Sequence, residues 1–237
     1  MIILCVAACL AAVVFAYLWI SQKSSVSDLK EKNRLLEYKL DQYDISIMLS
    51  QIQPHFLYNS LSAIRELCFV RPEDAPMALE EFSAFLRGNM DSLKSKEPVH
   101  FSRELAHVKH YLHLEKIRFG DELQIEYDIQ ADDFFLPTLT IQPLVENAVK
   151  YGVGNKEDGG KVEIHTRHEG DSIVITIKDD GIGFDADEFE DIPVQHDGRT
   201  HIGLSNVKSR LKAMVNGEMT IHSRKETGTV VTIVLPH

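Results

Sequence analysis

The chain is poor in cysteine, poor in positive charge and empty of the commonest glycine-rich nucleotide fingerprints. Its three cysteines, Cys5, Cys9 and Cys68, form no metal or disulfide spacing. Basic residues number 25 against 36 acidic ones, and the net charge of −11 excludes a nucleic acid as natural partner, because phosphate backbones need clustered Lys and Arg. No G-x-G-x-x-G occurs, which removes a Rossmann site and a protein-kinase glycine loop. Residues 154–161 imitate a P-loop only loosely. The spacing misses by one, Val162 stands where Ser or Thr is required, and a strand pattern follows instead of a helix. What remains is 237 residues, enough for one or two domains with a core.

Residues 1–20 carry no charged side chain, and half of them are Leu, Ile, Val or Phe. At helical rise they span about 30 Å, the thickness of a bilayer's hydrocarbon core. Tyr17 and Trp19 sit at one end, and Lys23, Lys30, Lys32 and Arg34 follow. The segment predicts an uncleaved transmembrane anchor over 1–21, in contact with membrane lipid, with everything downstream cytoplasmic. A cleaved signal peptide is disfavoured by the missing basic n-region. The expected location is therefore the inner membrane, crossed once. Val26, Leu29, Asn33, Leu36, Leu40, Tyr43 and Ile47 then alternate spacings of three and four. This is an a/d seam predicting a coiled coil over 22–49, with Asn33 at an a position that favours a parallel homodimer.

The stretch 51–61 reads QIQPHFLYNSL. Leu57, Leu61, Ile64 and Cys68 recur at helical spacing and predict a buried stripe. His55 lies opposite it, on one polar side with Gln51, Asn59, Ser62 and Glu66. Pro54 removes a hydrogen bond to Ser50 and predicts a kink there. An exposed imidazole beside a kink suits chemistry on the ring. Residues 71–76 break the helix, and Leu79, Phe82, Phe85, Leu86 and Leu93 predict a second one, antiparallel to the first. Ser102 is the expected N-cap of a third helix ending near Gly120. Its His107, His110 and His113 drift around the axis and have no carboxylate or cysteine partners, which argues against a metal site.

From Leu123 the pattern turns to alternating strands, at 123–129, 162–168, 173–178, 219–223 and 229–235, with helices at 141–151 and 204–215. This predicts an α+β sandwich with helices on one face of a sheet. On the first of those helices Glu146, Asn147, Lys150 and Tyr151 form one polar arc that suits Mg²⁺ and polyphosphate. Asp179 precedes two close-spaced glycines, Gly181 and Gly183, at a strand end, where a carboxylate can accept from an exocyclic amine. A charged loop over 185–200 reads as a lid, and Gly203 and Leu204 open a helix whose N-terminus can receive phosphates.

The ordered set QPHFLYNSL, IQPLVENAVKYG, DDGIGF, IGLSNVKSRL and GTVVTIVLP resembles the LytS/YehU-type sensor histidine kinases of bacterial two-component systems, over about 51–235. Their ATP-binding domain belongs to the GHKL superfamily, the Bergerat α/β sandwich. The resemblance implies 50–119 as dimerisation and phosphoacceptor helices and 120–237 as the ATP-binding domain. It implies His55 as phosphoacceptor, Asn147 as Mg²⁺ ligand, and Glu146 as general base. It implies Asp179 with Gly181 and Gly183 at the adenine, Gly203 and Leu204 by the phosphates, and Lys150 near them. ATP, Mg²⁺ and a response regulator receiver domain follow as cofactors and partner. Tyr151 stands where many relatives have His, and His201 replaces a glycine. The activity implied is an ATP-dependent protein-histidine kinase. A GHKL ATPase without histidine phosphorylation and a non-catalytic dimeric scaffold are the alternatives.

Overall fold

The computed structural model describes residues 54–95, 97–154, 156, 158–184 and 200–236, without the side chains of 93, 94 and 200–203. The expected anchor, the heptads, the residues before Pro54 and nearly all of the loop 185–200 lie outside the described residues. Among those described, no helix is long and apolar enough to cross a membrane.

Three helices come first: α1 (Pro54–Val70), α2 (Ala75–Lys94) and α3 (Phe101–Phe119). Arg71 and Pro72 end α1, and Pro76 sits in the first turn of α2, where a missing N–H costs nothing. An aromatic cluster joins the three. The Phe56 ring lies 4.8 Å from Phe85 and 5.1 Å from Tyr111 between centroids. Each such pair adds about 1 kcal/mol beyond the area it buries.

This cluster corrects the expected stripe. The buried residues of α1 are Phe56, Ser60, Ile64 and Leu67. Leu61 is 49% exposed, and Cys68 is exposed too. The helix carries two adjacent apolar stripes sharing Ile64, and periodicity does not say which one meets its own chain. Leu79 is likewise 52% exposed, and α2 packs instead through Ala75, Ala78, Phe82 and Phe85. The N-cap of α3 is His100, not Ser102. The His100 ring accepts the Ser102 N–H at 3.3 Å, so the cap lies two residues earlier. The other end is as expected, with Gly120 at φ 57° and its N–H on the Lys116 carbonyl.

The sheet has five strands in the order β2-β4-β5-β7-β6. They are β2 (Leu123–Ile129), β4 (Gly160–Glu169), β5 (Ser172–Asp179), β6 (Glu218–Arg224) and β7 (Gly228–Pro236). Only the β2–β4 pair is parallel. Short strands β1 (Val99–His100) and β3 (Phe135–Leu136) pair separately and tie the start of α3 to the approach to α4. Helix α4 (Ile141–Asn147) continues as a π-helical turn, Ala148–Val153, and α5 (Thr200–Val215) packs on β6. Ile164, Ile175, Ile177, Leu211 and Ile233 are fully buried within this α/β layer.

Glu104 of α3 fixes where α4 begins. Its buried carboxylate accepts the N–H groups of Leu139 at 2.7 Å, Thr140 at 2.9 Å and Ile141 at 3.2 Å. Thr140 supplies no side-chain cap of its own, so α4 is capped from another helix. Burial raises the carboxyl's pKa, and the three amides and Arg210 pull the other way. Arg210 of α5 donates to the Thr138 and Leu139 carbonyls of the same loop. Glu104→Ala strands three buried donors at about 1 kcal/mol or more each. A loss of about 3 kcal/mol is expected, read as a lower urea midpoint with an unchanged slope.

Candidate active site

Two cavities meet at α4. The first is a cleft of about 310 Å³ between α4 and the sheet. Its floor comes from cross-strand neighbours on one sheet face, Ile177 with Val231 and Asp179 with Thr229, and Ile221 lies beside Val231. Leu144, Asn147, Ala148, Tyr151 and Gly152 form one wall. Ile182, Gly183, Phe184 and Leu204 form the rim. The lining is apolar apart from a few side chains, and Asp179 is the buried acid among them.

Asp179 is 5% exposed, and its Oδ1 accepts the Gly181 N–H at 3.0 Å. Burial lifts its carboxyl to about 6, against the opposing effect of hydrogen bonds from Gly181 and Thr229. At neutral pH it is an ionised acceptor in an apolar slot, matched to a flat heterocycle carrying an amino group.

The backbone around this acid is packed without room for side chains. A Cβ on Gly181 would lie 2.0 Å from the Gly152 Cα, and one on Gly152 would lie 2.6 Å from Asp179 Oδ1. Gly183 has φ +56°, and its Cβ would meet the Arg224 carbonyl at 2.0 Å. Gly152 and Thr229 are site residues not singled out from the sequence. The glycine ending the VKYG stretch was their available signal, because it interrupts a helix. The π-helical turn that brings Gly152 onto Gly181 has no such signature; π-bulges of this kind gather at functional sites.

The second cavity, about 210 Å³, is lined by His55 and Phe56 of α1, by Tyr111, Glu115, Arg118 and Phe119 of α3, and by Glu146 and Lys150 of α4 and its π-turn. The polar arc of α4 is therefore divided. Asn147 and Tyr151 face the cleft, whereas Glu146 and Lys150 face His55. Lys150 does not line the cleft itself, but its amine donates to the Tyr151 hydroxyl at 2.9 Å. The two cavities are back to back across the Asn147–Tyr151 turn. His55 is exposed, with the Asn59 side-chain amide 3.1 Å from Nδ1 and 3.3 Å from Nε2. Glu66 is eleven residues further along α1, about 16 Å of helical rise, and does not belong to this group. Gly203 lies in the first turn of α5, directly before Leu204 at the cleft rim.

Residues 43–123 match the Histidine kinase family, and residues 133–237 match the Histidine kinase-, DNA gyrase B-, and HSP90-like ATPase family. YwpD of Bacillus subtilis (strain 168), an uncharacterized protein, is 36% identical over 81% of this chain and 69% of its own length. The chain belongs to the histidine kinase family. Within that family, the sensor histidine kinase YpdA of Escherichia coli (strain K12) is 34% identical, and the sensor protein LytS of Staphylococcus haemolyticus (strain JCSC1435) is 29% identical. Those matches cover 82% and 81% of this chain, but the chain spans only about a third of YpdA and of LytS, 34% in each case. As a histidine kinase family member the chain carries a GHKL-type α/β layer, and the cleft beside Asp179 lies in the matched ATPase region.

Of the remaining histidines, His107 is buried against Phe85, with ring centroids 5.2 Å apart, and burial lowers its pKa to about 4. His110 bonds to Glu81 at 2.5 Å, and His113 is exposed. Among the described residues no group of three His, Cys, Asp or Glu side chains is placed to hold a metal.

Proposed function

We propose that the chain is a membrane-anchored sensor histidine kinase that phosphorylates His55 from ATP and passes the phosphoryl group to an aspartate of a response regulator receiver domain. The observation that carries this reading is the back-to-back placement of an adenine-shaped cleft and an exposed imidazole on either side of one helical turn.

Asp179 would accept from the adenine amine, with Gly181, Gly183 and the apolar strands providing a slot that side chains would otherwise fill. Asn147 presents its amide in the cleft and fits a divalent ion that keeps most of its oxygen ligands as water and phosphate. Mg²⁺ held there would neutralise charge on the phosphates. Leu204 and Gly203 close the rim at the phosphate end. Phosphoryl transfer asks mainly for alignment and charge, and these residues supply both. Glu146 lines the His55 cavity, and its carboxylate accepts the Gln142 amide at 2.7 Å. Lys150 faces the same cavity with positive charge.

A homodimer is supported by a face of α1 that the described residues leave open. Tyr58, Leu61 and Phe69 are 74%, 49% and 82% exposed. A second copy would bury this stripe in a four-helix arrangement, with 50–119 forming the bundle and 120–237 the ATP-binding part. The apolar segment 1–21 and the heptads 22–49 would tether and pair it at the inner membrane.

The test is incubation of the full chain with γ-labelled ATP and Mg²⁺. Label stable in alkali and lost in mild acid is expected, transferable to a receiver domain. Asn147→Asp lowers the labelling at least tenfold while the helical circular dichroism is kept. Acid-stable label would refute histidine as the acceptor, and phosphate release with no labelled protein would return the assignment to a GHKL ATPase.

A further inference from the structure

The acid on the phosphoacceptor's own helix is not one that shares its cavity. Within α1 the only carboxylate is Glu66, out of reach of His55. The cavity under the imidazole instead holds Glu115, from a helix sixty residues later in the chain. The geometry points to Glu115 as the acceptor of the His55 ring proton, with Glu146 as the second charge beside it. This inference rests on His55 being the phosphoacceptor.

Three observations carry it. First, Glu115 is 3% exposed yet lines the cavity that His55 also lines, so its carboxylate is withdrawn from bulk water at a wall shared with the imidazole's residue. Second, the groups around it are arranged to hold a proton loosely. Arg118 of α3 donates to Oε2 at 3.1 Å, Tyr111 stands one turn back on the same helix, and Glu146 and Lys150 face it from α4. Burial raises the Glu115 carboxyl to about 7, Arg118 opposes that rise and Glu146 adds to it. A proton acceptor works best when its affinity lies close to the working pH. Third, the aromatic cluster of Phe56, Phe85 and Tyr111 locks α1 on α3, and His55 and Glu115 are each within a turn of it.

The step balances as follows. One ring nitrogen of neutral His55 gives its lone pair to the γ-phosphorus. The bond from that phosphorus to the bridging oxygen breaks, and its electron pair leaves with ADP. The proton on the other ring nitrogen, made acidic by the new N–P bond, passes to the Glu115 carboxylate. Glu115 later returns it to water. Glu115 thus acts through the imidazole rather than on ATP.

The experiment is the initial rate of acid-labile labelling of the full chain against pH, for wild type, Glu115→Gln and Glu115→Asp. The imidazole must be neutral in every variant. Wild type is expected to rise with pH on two ionisations, one of them near 7. Glu115→Gln lowers the rate about 100-fold, leaves KM for ATP unchanged and keeps only the imidazole's ionisation; Glu115→Asp restores part of the rate and the second ionisation. Arg118→Ala removes the cation that lowers the Glu115 carboxyl, so the limb near 7 moves to higher pH; this variant carries the test if Glu115→Gln misfolds. A slow Glu115→Gln with the wild-type pH profile, or a limb unmoved in Arg118→Ala, overturns the inference while leaving His55 in place. Label that persists in His55→Gln instead overturns the reading beneath it.

Discussion

His55→Gln is expected to abolish acid-labile labelling altogether, to below one part in a thousand of wild type, while nucleotide affinity stays within twofold. The two halves of that result have separate causes. Glutamine is close to histidine in length but offers no ring lone pair, so the attack on phosphorus has no nucleophile. His55 is exposed on α1 and lines the cavity beyond the Asn147–Tyr151 turn, so its loss leaves the cleft lining untouched. Three other described histidines are already engaged. His107 is buried against Phe85, His110 is held by Glu81, and His100 bonds to Ser102 and Asp133. Labelling measured beside binding of a fluorescent nucleotide checks both halves. Lost binding in His55→Gln would mean that the two cavities are not separable.

Gly181→Ala carries the second large effect. It should cost at least 100-fold in ATP affinity. The new Cβ would stand 2.0 Å from the Gly152 Cα and 2.2 Å from the Gly152 carbonyl carbon. Those are backbone atoms of the π-turn, which cannot rotate away as a flexible side chain would. Either the turn carrying Asn147, Tyr151 and Gly152 shifts or the loop after Asp179 does, and both line the cleft. Gly170→Ala is the control. Its φ is positive, +60°, unlike that of Gly181, but nothing lies within 4 Å of its Cβ. There only the backbone conformation is strained, at about 1 kcal/mol, and nucleotide affinity stays at the wild-type level. Calorimetric titration with ATP separates the two. Equal affinities for both variants would show that the close approach of Gly152 and Gly181 does not shape the cleft.

The motifs differ in how far they could be read. Asp179, Gly181 and Gly183 lie within five residues at a strand end, so their grouping is local; Asp179 and Gly183 line one cleft, and the Gly181 N–H bonds to Asp179. The α4 helix was legible too, as were the positions of the five sheet strands, because alternation and helical spacing belong to each element alone. The division of its polar arc was not. Glu146 with Lys150 and Asn147 with Tyr151 are each four apart, about 100° from one another. Whether one ligand or two cavities face them depends on what packs at either side.

Sequence alone determined the family, the main helices and the five sheet strands, several polar residues that line the cleft, and His55 as an exposed imidazole. Tertiary structure alone decided which stripe of α1 meets α2 and α3, that Glu104 caps α4 from α3, that Gly152 closes on Gly181, and that Glu115 and Arg118 line one cavity with His55. The reason is physical. Periodicity records the faces of one element, but the register between elements is set by side-chain packing, here Phe56 between Phe85 and Tyr111, and no repeat in the chain encodes that fit.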